Sequence, residues 1–119
     1  MVQIELPYPP SVNHYWRVWR GRMIISRGGR AYHQKVAAAA RRAGVQPLSG
    51  RLAVRVELYP PDRRRRDIDN TQKSLLDALQ RAGAFHDDSQ IVWLLIEKAQ
   101  VFPGGKVIVE IFQRPGSSQ

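Results

Sequence analysis

Cysteine is absent from the 119 residues, which excludes disulfide frameworks, thiolate nucleophiles and thiolate zinc sites. Any bound metal must then be held by oxygen or imidazole. No apolar run approaches the roughly 20 residues that span a bilayer, and the N-terminal MVQIELPYPP lacks the basic-then-apolar profile of an export signal. No membrane association and a cytoplasmic location are therefore expected. Acidic residues are missing entirely between Leu6 and Val56, a stretch that holds ten basic ones. Internal repeats are missing too, and the three histidines, His14, His33 and His86, are scattered.

What is present describes one small folded domain. A hydrophobic content of 43% spread along the chain argues against a disordered or low-complexity polypeptide. The length fits a single domain over 1–114, with the tail 115–119 expected to fray. The net charge is +9, and arginine supplies fifteen of the nineteen basic residues. Its planar fork suits phosphate oxygens, so the expected partner is a polyanion, with nucleic acid the leading class. A membrane surface fits less well, because the best basic helix carries alanine where a lipid-facing helix needs Trp, Phe or Leu.

Val2–Leu6 and Arg22–Ser26 read as short strands, and the proline- and aromatic-rich segment between them as an ordered loop. Ala31–Ala43 are good helix formers followed by Gly44 and Pro47. From Arg51 to Tyr59 the sequence alternates, with Leu52, Val54, Val56 and Leu58 on one side, which predicts a half-buried strand. A second helix follows in TQKSLLDALQRAG, where Leu75, Leu76, Leu79 and Ala82 recur at helical spacing, with Asp69 or Asn70 as cap and Gly83 as stop. The apolar run near IVWLLI, the PGG at 103–105 and KVIVEIF read as a closing β-hairpin. The order β-β-α-β-α-β-β predicts an α+β domain with a mixed sheet.

The acids are as unevenly placed as the bases. Six of ten, all aspartates, fall between residues 62 and 88, next to the run Arg63–Arg66. Carboxylates repel the phosphates that those arginines suit, so either they tie down arginine or they hold a divalent cation that reverses the local field. If the chain leaving Arg66 is extended, Asp67 and Asp69 point to one side about 6.5 to 7 Å apart and reach a common site. Lys73 follows one turn later. Of Asp87 and Asp88, adjacent before a strand, only one should join them, and spacing alone does not say which. Three aspartates and a lysine suit metal-assisted phosphodiester hydrolysis. D-x-D also occurs in nucleotide-sugar metal sites, and the competing structural reading has Asp67 and Asp69 capping the helix while Lys73 pairs with Asp77. Arg63, Arg64, Arg65 and Arg66 are expected on phosphates. The mixture of Tyr8, Tyr15, Trp16, Arg17, Trp19, Arg20 and Arg22 suits stacking on exposed bases, and core or subunit packing equally.

PDRRRRDIDNTQKSLLDALQRAG followed by HDDSQI resembles the signature of the RusA family of Holliday junction resolvases, and PYPPSVNHYWR and GGRAYHQKV extend the resemblance over nearly the whole chain. It implies a homodimeric, Mg²⁺-dependent endonuclease that makes paired symmetric nicks in four-way DNA junctions, with Mn²⁺ as a substitute ion. Carried over by motif, the catalytic and metal-holding acids fall on Asp67, Asp69 and Asp88, and the catalytic lysine on Lys73. A dimer suits a junction of approximate two-fold symmetry. The competing reading is a non-catalytic, basic nucleic-acid-binding module. A third keeps the nuclease chemistry and changes the substrate to flaps, forks or RNA.

Overall fold

A computed structural model describes residues 1–115; the expected frayed tail lies, but for Pro115, outside them. Four strands form a mixed sheet: β1 (Val2–Leu6), β4 (Leu52–Tyr59), β5 (Ile91–Lys98) and β6 (Lys106–Gln113), in the order β1-β6-β4-β5. β6 lies antiparallel to both β1 and β4, whereas β4 and β5 run parallel. The alternation in β4 gives the predicted result: Leu52, Val54, Val56 and Leu58 are buried, with Val107, Val109 and Ile111 of β6 beside them. Helices α2 (Arg27–Arg42) and α3 (Gln72–Arg81) supply Tyr32, Val36, Leu75, Ala78 and Leu79 to the same core. The fold is the expected α+β single domain.

The expected closing hairpin does not form. β4 lies between β5 and β6, because residues 99–105 pass over the end of β4 instead of turning back along β5. Ala99 N–H donates to Leu58 O at 2.7 Å and Phe102 N–H to Pro60 O at 2.9 Å, which carries the chain to the far side of β4.

Between β1 and α2 the expected loop is more structured. A single helical turn, α1 (Val12–Tyr15), leads into β2 (Trp16–Trp19), which pairs with β3 (Arg22–Ile25) as a separate hairpin. Its two turn residues, Arg20 and Gly21, both have positive φ (51° and 73°), the geometry that matches strand twist. Helix α2 begins four residues earlier than the expected Ala31, since Ser26 accepts the Gly29 N–H at 2.9 Å and caps it. Gly29 is required by contact: a Cβ there would lie 2.5 Å from Tyr15 O and 2.7 Å from Ile25 Cγ2.

Candidate active site

The aspartates lie on the crossover that joins parallel β4 to β5 through α3. Pro60 and Pro61 end β4, and a polar loop carries Arg63–Arg66 to Asp67, which is extended at φ −86°, ψ 139°. The extended path stops there. Ile68–Asn70 close a 3₁₀ turn in which Asn70 N–H donates to Asp67 O at 3.3 Å, so Asp67 and Asp69 do not share the strand-like face that their spacing predicts. Neither Asp69 nor Asn70 caps α3. Thr71 occupies the cap position without a side-chain cap bond and directs its hydroxyl to Ile68 O at 3.3 Å.

Two clefts adjoin the N-terminus of α3. One, of about 680 Å³, is lined by Asp67, Arg64, Arg65 and Arg66 together with Tyr8 and His14. The other, of about 540 Å³, holds Lys73 and Asp88 with Asp77, Trp16 and Met23. Asp69, on the exposed 3₁₀ turn, lines neither. Asp67 and Asp69 precede α3, whereas Asp88 follows it and lies along its side, sharing a cleft with Gln72 and Lys73 of the first turn and giving its N–H to Gln80 Oε1 at 3.0 Å. Among the described residues, no three acidic or histidine side chains converge closely enough to hold an ion.

The six aspartates divide by duty. Asp62 accepts Arg66 Nη1–H at 2.8 Å and the Arg64 backbone N–H at 3.0 Å, and these bonds hold its carboxyl far below the usual range. Asp77 accepts the Tyr15 hydroxyl at 2.7 Å and Arg81 Nε–H at 2.8 Å, so it does not pair with Lys73. Asp87 forms a capping box with Gln90 around the turn Asp88–Gln90 and accepts the Ser89 hydroxyl at 2.6 Å, which lowers its pKa. Asp67, Asp69 and Asp88 take no side-chain hydrogen bond or ion pair among the described residues, and Lys73 makes none either. All four are exposed. Of the adjacent pair, Asp87 holds the turn through its capping box, in which the Asp88 carboxylate takes no part.

The same sorting applies to the arginine run. Arg66 is pinned to Asp62 and lies over the Tyr8 ring at 5.9 Å, and Arg64 leans on Asp62 at 3.4 Å. Arg63 and Arg65 are exposed and have no acidic partner among the described residues. Arg17 and Arg20 stand on the β2–β3 hairpin, Arg20 over the Trp19 ring at 4.5 Å. Sequence reasoning named Tyr8 only as a stacking candidate and left Ser11 and His14 out of the site; all three line the Asp67 cleft, Ser11 Oγ lying 2.7 Å from His14 Nδ1. The segment is held there by the Ser74 hydroxyl, which donates to Pro10 O at 2.6 Å, and by the Tyr15–Asp77 bond. The polar and aromatic density of PYPPSVNHYW was the available signal.

Three carboxylates with no structural partner form an oxygen-only donor set suited to a hard divalent cation. Their chemistry fits such an ion; a single chain does not bring all three together.

The model of the family described as Endodeoxyribonuclease RusA matches residues 7–112. Relatives named crossover junction endodeoxyribonuclease RusA are similar at 43% identity over 109 residues, covering 91% of this chain and 91% of theirs. They include those of Escherichia coli strain K12, Shigella sonnei strain Ss046 and Enterobacteria phage 82.

Proposed function

Because the chain belongs to the RusA family of endodeoxyribonucleases, we propose that it resolves four-way DNA junctions by paired, symmetric, Mg²⁺-dependent nicks. The observation that carries this reading is the division of the aspartates. Asp62, Asp77 and Asp87 are occupied by the fold, while Asp67, Asp69 and Asp88 are exposed and unpartnered beside Lys73. Unused carboxylates next to an arginine run weaken phosphate binding unless they serve chemistry.

In this reading Asp67, Asp69 and Asp88 would hold Mg²⁺, or Mn²⁺ in its place. A bound ion of this kind would supply water activation and neutralise charge at the phosphate. The chain's own groups do the rest. Lys73 offers its ammonium to the charge that builds on the phosphate or the departing oxygen. Arg63 and Arg65 are free to grip flanking phosphates, and the Asp62 clasp orients Arg64 and Arg66 along the cleft. Arg17 and Arg20 extend the contact onto the hairpin.

A second copy of the chain completes the arrangement. β5 is an edge strand with an unpaired backbone rim, and its Val92, Trp93 and Leu95 are exposed. Natural monomers blunt such edges, so this one suits pairing with its symmetry mate. No helix is long and apolar enough to cross a membrane among the described residues.

The test is a nicking assay on a labelled four-way junction against duplex of equal length, with Mg²⁺ and with EDTA. Junction-selective nicking that stops with EDTA while binding persists supports the proposal. Binding without nicking in Mg²⁺ or Mn²⁺ leaves a binding module instead, and preferential cutting of flaps, forks or RNA transfers the chemistry to another substrate.

A further inference from the structure

We infer that the outward face of α2 is a second DNA-backbone surface, which holds a duplex arm of the junction away from the point of cleavage. This rests on the functional reading above and adds a binding surface to it.

Helix α2 carries Arg27, Arg30, Lys35, Arg41 and Arg42 and no acid along its length. At 100° per residue, Arg27, Arg30, Gln34 and Arg41 fall within a sector of about 60°. The opposite side buries Gly29, Tyr32, Val36 and Ala40. All four stripe residues are exposed, and over 14 residues the stripe is about 21 Å long. Duplex DNA presents about 12 phosphates over that length. None of the stripe residues lines the clefts of Asp67 or of Lys73 and Asp88.

Nothing in the fold uses these charges. The ion pairs of the described residues engage Arg55, Arg64, Arg66, Arg81 and Lys106 and none of the cations on α2. The one side-chain bond in the stripe runs from Arg30 Nη1–H to Ile25 O at 3.1 Å. Arg27 and Arg30 also sit in the first turn, where the helix dipole and their mutual repulsion both disfavour them. An external polyanion removes both penalties.

The placement of the other charges gives the surface its direction. All four glutamates of the chain, Glu5, Glu57, Glu97 and Glu110, lie on the sheet face that α2 does not cover. Glu57 is opposite Glu97, Glu110 is opposite Arg55, and Arg55 draws three of them together. One side of the molecule thus repels DNA and the other attracts it. The occupant is duplex and not single strands, because the stripe has no exposed aromatic on which bases stack. Backbone contact of this kind is independent of sequence. Lys35 and Arg42 occupy the neighbouring row, lining a cleft with Glu5, and are not part of the stripe.

The test uses Arg27→Gln/Arg30→Gln/Arg41→Gln in the full chain, with wild type beside it. On a junction with arms of about 20 base pairs, the slope of log Kd against log salt should fall by about 5, at about 0.9 per lost phosphate contact and three contacts in each of two subunits. With hairpin-capped arms of about 6 base pairs, the two proteins should bind alike. Nicking at saturating enzyme should not change. Arg41→Gln alone, which removes no bond within the fold, should lower the slope by about 2, one contact being lost in each subunit. An unchanged slope and affinity on long arms overturns the inference even if wild type nicks junctions normally. A wild type that nicks nothing, with the slope still falling in the variant, overturns the functional reading and leaves this surface standing.

Discussion

Arg66 gives its Nη1–H to Asp62 at 2.8 Å and not to Asp67, its neighbour in the chain. Asp62 thereby keeps a guanidinium off a carboxylate proposed for chemistry. In Asp62→Asn the neutral amide loses the charge-assisted bonds, and Arg66 is released to compete for Asp67. Junction binding should hold or tighten while nicking at saturating enzyme falls several-fold. The clasp should not appear in the pH–rate profile near neutrality. Its carboxyl is depressed in the folded chain, so its contribution is complete above the unfolded value near 4 and is lost only as pH falls below it. A step in rate between pH 6 and 8 that disappears in Asp62→Asn would contradict this account.

The two adjacent acids separate by duty. Asp88→Asn should leave the melting temperature close to wild type and abolish nicking. Asp87→Asn weakens the cap on the turn Asp88–Gln90, so it should lower the melting temperature slightly and retain most of the activity. Thermal melts and single-turnover nicking, run on both variants, check the pair.

Gly29 and Gly28 predict opposite sensitivities. Gly29→Ala forces a Cβ to 2.5 Å from Tyr15 O and should cost about 1 to 3 kcal/mol, as overpacking does. Gly28 meets nothing closer than 3.9 Å, so Gly28→Ala should be neutral or stabilising, by up to about 1 kcal/mol. Urea denaturation measures both.

Tyr15 is fully buried and its hydroxyl donates to Asp77, so burial first and then that carboxylate raise its pKa above the usual 10. Burial raises Tyr32 likewise. A raised folded value means that stability is complete below pH 10 and declines as pH climbs above it. Tyr15→Phe should cost about 1 kcal/mol at neutral pH and flatten part of the alkaline decline. Denaturation midpoints from pH 7 to 11 give the answer.

The β5 edge predicts the oligomeric state. Trp93→Lys/Leu95→Lys places two charges on the exposed rim and should shift sedimentation from dimer to monomer while the fold is retained. A wild type that sediments as a monomer would contradict the proposed pairing.

The parts of this molecule legible in the sequence are those governed by burial. β4 alternates because one of its faces is buried, and α3 repeats leucine because it lies on that face. The hairpin β2–β3 was legible only in its second strand, which the apolar run Arg22–Ser26 marked. Val18 and Trp19 of β2 stay exposed, so no burial pattern marks that strand. The PGG turn suggested that β5 and β6 pair, since turn chemistry reports a reversal but not which strand lies across it. At the site, residue types and spacing singled out Asp67, Asp69 and Lys73 and left Asp87 and Asp88 open, and the family resemblance chose Asp88; the involvement of these residues in chemistry is a proposal. Their geometry was not legible. A 3₁₀ turn at Ile68–Asn70 replaces the extended path, and Asp88 lines a different cleft from Asp67.

The most direct test of the central claim, that the unpartnered aspartates are there for cleavage, is the single-turnover nicking rate of Asp69→Asn on a four-way junction in Mg²⁺ at saturating enzyme. The account predicts a fall of about a hundredfold or more, on the order of what removal of one charge-stabilising group costs, with junction affinity equal to or above wild type. Nicking at the wild-type rate would contradict it.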